Sequence, residues 1–189
     1  MRKSMVVSLV LMGVCATRAG VAIADEKKDE KKAEVAIRDD CDPADPAWAP
    51  TGGCTLKGGV VSFAEFGQLL FSPNSAGSPV GHPAWRMDPT YFRMESDGTV
   101  SVKNAGGRGH TFTEVENFGG GFVPPLNGTL LVAPECAAAA ANPPLAPGAR
   151  LEVTGLTEGN HLFQCCIHPW MRILVKVGPE ESSNEVPKH

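Results

Sequence analysis

Apolar side chains recur at every second position in several short runs of the chain. Leu151-x-Val153 and Ile173-x-Val175-x-Val177 are the clearest cases. Period two is that of a strand with one face in a core. Apolar-rich segments of strand length lie at 60–63, 66–71, 91–94, 99–103, 110–115, 129–132, 149–153, 162–167 and 172–177, with Gly, Pro and Asn between them. Short strands punctuated by turn residues predict an all-β fold, an antiparallel β-sandwich. Residues 60–177 are enough chain for a proper core. An alanine run between Glu135 and Pro143 predicts one short helix around 135–141, and the polar, Pro-bounded stretch 178–189 is expected to be a flexible tail.

The start of the chain reads differently. Met1-Arg2-Lys3-Ser4 is basic, residues 5–16 are mostly apolar, and Ala22-Ile23-Ala24 is a small-x-small site before Asp25. That is the pattern of a secretory signal peptide over 1–24, cleaved after Ala24, and it predicts a periplasmic or secreted protein. No later stretch reaches the roughly 18 apolar residues of a membrane span. Of the 17 basic and 21 acidic side chains, cleavage removes Arg2, Lys3 and Arg18 and no acid. The remaining 14 and 21 give −7 with His neutral, which argues against a nucleic-acid partner and leaves room for a basic face on another protein. Residues 25–40 are a run of Asp, Glu and Lys with almost no apolar stripe, expected to be a disordered, solvated tether.

Cys41 and Cys54 bracket an Asp-Pro- and Gly-rich loop, 41–59, without regular structure. In an exported chain such a pair is expected as a disulfide. A metal site there would need two further donors, and no His lies nearby.

The densest chemistry lies at Cys165, His168 and Met171, a Cys-x-x-His-x-x-Met spacing on a loop leaving the strand at 162–167, which Pro169 terminates. Thiolate, imidazole and thioether are soft donors that select copper, and two imidazoles, one thiolate and a weak axial thioether make a blue-copper electron-transfer site. The second imidazole must come from upstream. His110 is the candidate, in Gly106-Gly107-Arg108-Gly109-His110-Thr111-Phe112-Thr113 directly after the strand at 99–103.

An upstream His followed much later by a Cys-His-Met loop resembles the cupredoxins. The run His168-Pro169-Trp170-Met171-Arg172 is similar to the corresponding loop of amicyanin and plastocyanin, and the resemblance covers about 60–177. It implies a Greek-key sandwich and one type 1 copper held by His110, Cys165, His168 and Met171. It also implies a Thr111 backbone N–H approaching the Cys sulfur. Strand alternation turns Phe163 and Cys165 inward and Leu162, Gln164 and Cys166 outward. This favours Cys165 over Cys166 as ligand, as does the three-residue step to His168 that the resemblance supplies. With Cys41 and Cys54 paired, elimination leaves Cys136 and Cys166 as a second disulfide, a free buried Cys166 being the alternative.

The implied activity is one-electron transfer between redox proteins, with Pro169 and Trp170 as an apolar docking rim beside His168. The alternative is a copper-delivery protein that handles Cu(I), since the same donors suit that ion. Copper catalysis fits poorly: the chain has five histidines and neither a His-x-His pair nor a His-Cys-His triplet. His82, in Gly81-His82-Pro83-Ala84-Trp85, echoes the metal loop but has Pro79 where a Cys would be needed. It is expected in an ordered surface loop packing Trp85, while His161 and His189 are expected to be solvated.

Overall fold

In a computed structural model the described residues are 32–70 and 81–179. The expected signal peptide, the first part of the charged run, residues 71–80 and the chain beyond Pro179 lie outside them. Eight strands form two four-stranded sheets. They are β1 (Lys32–Arg38), β2 (Arg86–Asp88), β3 (Tyr91–Met94), β4 (Thr99–Asn104), β5 (Thr113–Val115), β6 (Arg150–Val153), β7 (Gly159–Gln164) and β8 (Arg172–Val177). One sheet has the order β2-β1-β4-β6 and the other β3-β8-β7-β5. Val35, Ile37, Met87, Val100 and Val102 of the first pack with Met94, Phe163, Ile173, Val175 and Val177 of the second in one core. The fold is an all-β sandwich.

Both sheets are mixed rather than purely antiparallel, because β1 runs parallel to β4 and β3 parallel to β8. β1 is the larger correction. Residues 32–38 belong to the run expected as a disordered tether, yet they fill the middle of a sheet, and the sandwich begins there rather than at residue 60. The physical reason is period two: Val35 and Ile37 are buried on one face while Lys32, Glu34 and Arg38 remain exposed. The same alternation carries the next odd residue, Asp39, inward, and it too is buried.

Residues 60–71 were expected as two strands. Instead Val61 makes a single bridge to Cys41, and Phe63–Leu70 is a helix, α1. Ser62 starts it: its hydroxyl accepts the Glu65 N–H at 3.1 Å, as in a Ser-x-x-Glu capping box. Asp45 Oδ2 accepts the Phe63 N–H at 2.8 Å. Phe63, Phe66 and Leu70 then fall on one helical face. Trp48, on the short 3-10 turn Pro46–Thr51, packs edge-on to Phe63 and stacks on Trp85, with ring centroids 5.0 and 5.7 Å apart.

The segment 129–132 forms no strand. Val132 only bridges Gly120, and Leu131 is 87% exposed. The alanine run does form a short helix, α2 (Pro134–Ala139). Gly178 donates its N–H to Met94 O, so the sandwich extends to the start of the expected tail.

Both expected disulfides are present. Cys41–Cys54 closes the 41–59 loop, and Cys136–Cys166 pins α2 to the end of β7. The outward face of β7 is therefore covered as well, by a second cluster of Val115, Ala133, Cys136 and Cys166. Gln164, on that face, is buried with its amide paired to both backbone groups of Gly119.

Candidate metal centre

Two chain segments meet at the end of the sandwich. After β4, residues 105–109 turn tightly and deliver His110, whose backbone N–H and C=O both pair with Leu145. Asn104, fully buried, shapes this turn: its amide donates to Arg108 O and Leu145 O and accepts the Gly106 N–H. After β7 the chain enters the Cys165–Met171 loop. The Cys165 N–H donates to Met171 O at 3.0 Å and the Met171 N–H to His168 O at 2.9 Å, so the loop is closed at its base.

The result brings together His110, Cys165 and His168. One donor atom from each lies within 4.8 Å of the other two, and all three residues are buried. Cys165 is the free cysteine among the described residues. Its Sγ is 3.7 Å from Nδ1 of His110 and 3.7 Å from Nδ1 of His168. A thiolate about 2.3 Å and an imidazole about 2.0 Å from one metal ion, 120° apart, are themselves about 3.7 Å apart. The spacing thus fits a trigonal seat for a soft metal ion, and the donor chemistry fits copper. Met171 is 1% exposed and belongs to the same core cluster as Cys165.

Thr111 ties the two segments at the sulfur. Its backbone N–H points to Cys165 Sγ at 3.4 Å, while its hydroxyl accepts the Cys166 N–H at 2.7 Å. Phe163 lies beneath, stacked on Phe112 with centroids 4.4 Å apart. The outer side of His168 is roofed by aromatic rings. Phe66 and Trp170 meet it edge-on at 6.3 and 5.5 Å, and Trp85 lies tilted at 6.5 Å. His168 is only 4% exposed, yet more so than His110 and Cys165, both at 0%.

The docking rim needs correction. Pro169 is buried, and its carbonyl accepts from Arg172 Nε at 2.7 Å. Trp170 is half-buried, and a Cβ on Gly81 would run into its ring. His82 also departs from expectation. It is not on the surface but 4% exposed, held edge-on by Trp85, with Nδ1 accepting the Ala84 N–H. It is not among the clustered donors. His161 is partly buried and paired to Glu114 at 2.6 Å rather than solvated.

Asp39 is the functional residue that the sequence reading passed over. Its side chain is fully buried and its Oδ2 lies 2.8 Å from Nε2 of His110. The signal for it was present, one step beyond the Val35, Ile37 alternation. Burial pushes the Asp39 carboxyl up, but His110 and the N–H groups of Gly107 and Arg108 outweigh that and hold it below its usual value. Burial likewise works against a charged His110, but Asp39 and Cys165 raise it to about 9. The Cys165 thiol, which burial alone would push up, is held well below its ordinary value by His110 and His168. His168 moves down because burial dominates. The two imidazoles thus favour the thiolate form of Cys165, the form that a soft metal ion binds.

No family model matches the chain, and no curated protein matches it. Among solved structures it is similar to a purple cupredoxin from Nitrosopumilus maritimus, at 18% identity and a TM-score of 0.40 over 77% of this chain and 99% of that one. It is similar to a reduced Cu(I) form of an amicyanin variant, at 20% identity and 0.34 over 49% and 72% of the two chains. It is also similar to a pseudoazurin from Methylobacterium extorquens AM1, at 15% identity and 0.35 over 80% and 78%.

Proposed function

We propose that the protein binds one copper ion through His110, Cys165, His168 and Met171 and serves as a one-electron carrier between redox proteins, as a cupredoxin does. The observation that carries this reading is the buried thiolate with two imidazole Nδ1 atoms, each 3.7 Å from it. Copper bound there would accept one electron from a reduced protein and release one to an oxidised protein.

The chain's own residues do the rest. Thr111 and the Met171 carbonyl fix Cys165, Leu145 and Asp39 fix His110, and the aromatic roof excludes water from His168. Met171 would supply a thioether donor, with support from its burial beside Cys165 and from its spacing in the loop. Four donors leave no open position for a substrate, which favours a carrier over an enzyme. Burial also favours a carrier over a delivery protein, because a partner's ligands cannot reach donors that are 0–4% exposed. Half-buried Trp170, against His168, is the aromatic group on which a partner would dock. The leader pattern and two disulfides suit export to an oxidising compartment.

The test is optical. The copper-loaded, oxidised protein should show an intense thiolate-to-copper band that disappears on reduction and returns on oxidation. Cys165→Ser should abolish the band. A colourless loaded protein that gives up Cu(I) to a competing chelator without a colour change would instead establish the delivery reading.

A further inference from the structure

Resting on that copper reading, we propose that Asp39 is a positioning residue of the centre: its buried carboxylate accepts the Nε2–H of His110, aims Nδ1 at the metal seat, and favours Cu(II) over Cu(I).

The geometry starts in β1. Parallel pairing sets Ile37 opposite Asn104, so Asp39, two residues further on, reaches the turn that leads to His110. That turn is built around the carboxylate. Asp39 Oδ1 accepts the Gly107 N–H at 2.9 Å and Oδ2 the Arg108 N–H at 3.1 Å, with the Cys41 N–H at 3.5 Å from Oδ1. A Cβ on Gly106 would lie 2.1 Å from Oδ2, so only glycine lets the backbone pass this close. The Arg108 guanidinium is engaged elsewhere, donating to Gly53 O and to Thr51, and lying over the Trp48 ring at 4.6 Å. Its side chain therefore makes no direct pair with the carboxylate.

A carboxylate accepts but does not donate, so the proton between Asp39 and His110 sits on Nε2, and the Nδ1 that faces Cys165 is the nitrogen whose lone pair a metal ion would take. A neutral acceptor would orient the ring as well. What a carboxylate adds is charge: it makes the imidazole a stronger donor, and the more highly charged metal state gains more from that. Burial at 0% side-chain exposure keeps water from screening the effect.

The experiment uses the full chain loaded with copper. Asp39→Asn keeps size and one acceptor while removing the charge. Exposed Glu152→Gln, on β6, controls for a change in net charge. Loss of an outer partner of a metal ligand typically costs about 10- to 100-fold in affinity. Asp39→Asn should weaken Cu(II) relative to Cu(I) by about tenfold or more, which raises the reduction potential by about 59 mV per factor of ten. Glu152→Gln should leave it unchanged. An intact blue band with an unaltered potential in Asp39→Asn overturns the inference. Should that variant not fold, the unaltered Cu(I) form decides. Its nitrogen NMR spectrum must show a slowly exchanging proton on His110 Nε2, and a bare Nε2 overturns the inference. Absence of a blue band from the unaltered chain would instead sink the copper reading, and this inference with it.

Discussion

Thr111→Val isolates the strut that joins the two halves of the metal centre. The substitution keeps the shape and the backbone N–H that faces Cys165 Sγ, but deletes the hydroxyl that accepts the Cys166 N–H at 2.7 Å. Thr and Val are not interchangeable here because of that hydroxyl. Cys166 is 0% exposed, so its N–H is left without water as well as without a partner. A buried donor stranded in this way costs about 1–3 kcal/mol. The second bond lost, from the Thr113 hydroxyl to Thr111 at 3.3 Å, matters less, since half-buried Thr113 can turn to solvent.

With a slope of about 2 kcal/mol per molar in urea, the loss should lower the unfolding midpoint of the metal-free protein by about 1 M at constant slope. The copper-loaded variant should keep its absorption maximum, because the contact to the sulfur comes from the backbone. A midpoint within about 0.2 M of the unaltered protein would show that the Cys166 N–H has another acceptor. The strut would then be decorative. A shifted maximum at an unchanged midpoint would show that the hydroxyl acts on the sulfur and not on the fold.

Two further outcomes follow from the same packing. Phe66→Ala should cost about 3–5 kcal/mol in urea unfolding, since Phe66 is 6% exposed against Trp48, Trp85 and Trp170. It should also speed copper removal by a chelator, because the roof over His168 opens, and an unchanged removal rate would refute the roof. For His161, burial lowers the pKa, but Glu114 and the Thr157 carbonyl outweigh it and raise it above the ordinary value of 6.5. Its stabilising contribution, about 1 kcal/mol or less for such a partly exposed pair, is present in full below about pH 6.5 and lost as pH rises through the raised folded value. The stability difference between the unaltered protein and His161→Gln should shrink over that window, and a difference independent of pH would refute the pairing.

How much of this was legible depended on the distance between the residues involved. Cys165, His168 and Met171 lie within one loop, so their spacing carried the chemistry directly, and Gly-flanked His110 was the natural complement. The segments 149–153 and 172–177 showed alternation; β8 buries Ile173, Val175 and Val177 as that pattern requires, whereas β6 leaves Leu151 39% exposed. β1 was hidden because its charged residues all sit on the solvent-facing side of a strand. The eye counts charge along the chain, whereas the sheet counts it by face. α1 was hidden because Phe63 and Phe66 look like strand residues by type. The capping box at Ser62 and Glu65, and the 63, 66, 70 spacing, were the local signals that outweighed type. Asp39 was legible only once β1 is seen as a strand: the Val35, Ile37 alternation then turns it inward and Asp40 outward, while the parallel pairing of β1 with β4 brings it to His110.

That pairing bears on why the seat holds its shape. His110 is fixed by a backbone pair to Leu145 and by Asp39 at the end of β1; Cys165 by Met171 O and the Thr111 N–H; His168 by the rings of Phe66 and Trp85 from outside its loop and of Trp170 within it. Each of these contacts is made by protein atoms alone. The two sulfur–nitrogen separations, 3.7 Å each, are those a trigonal ion requires. The two oxidation states of copper prefer different geometries, and a ligand set held by the fold can follow neither preference fully. On the proposed copper reading, such a seat would keep the change in structure on gaining or losing an electron small. Rigidity of this kind has its origin outside the metal loop, in an N-terminal strand whose sequence looks like a tether. Asp39 lies directly after β1, so the anchor of His110 depends on the pairing of β1 with β4 and not on the metal loop, which is why the ligand loop alone does not define the site.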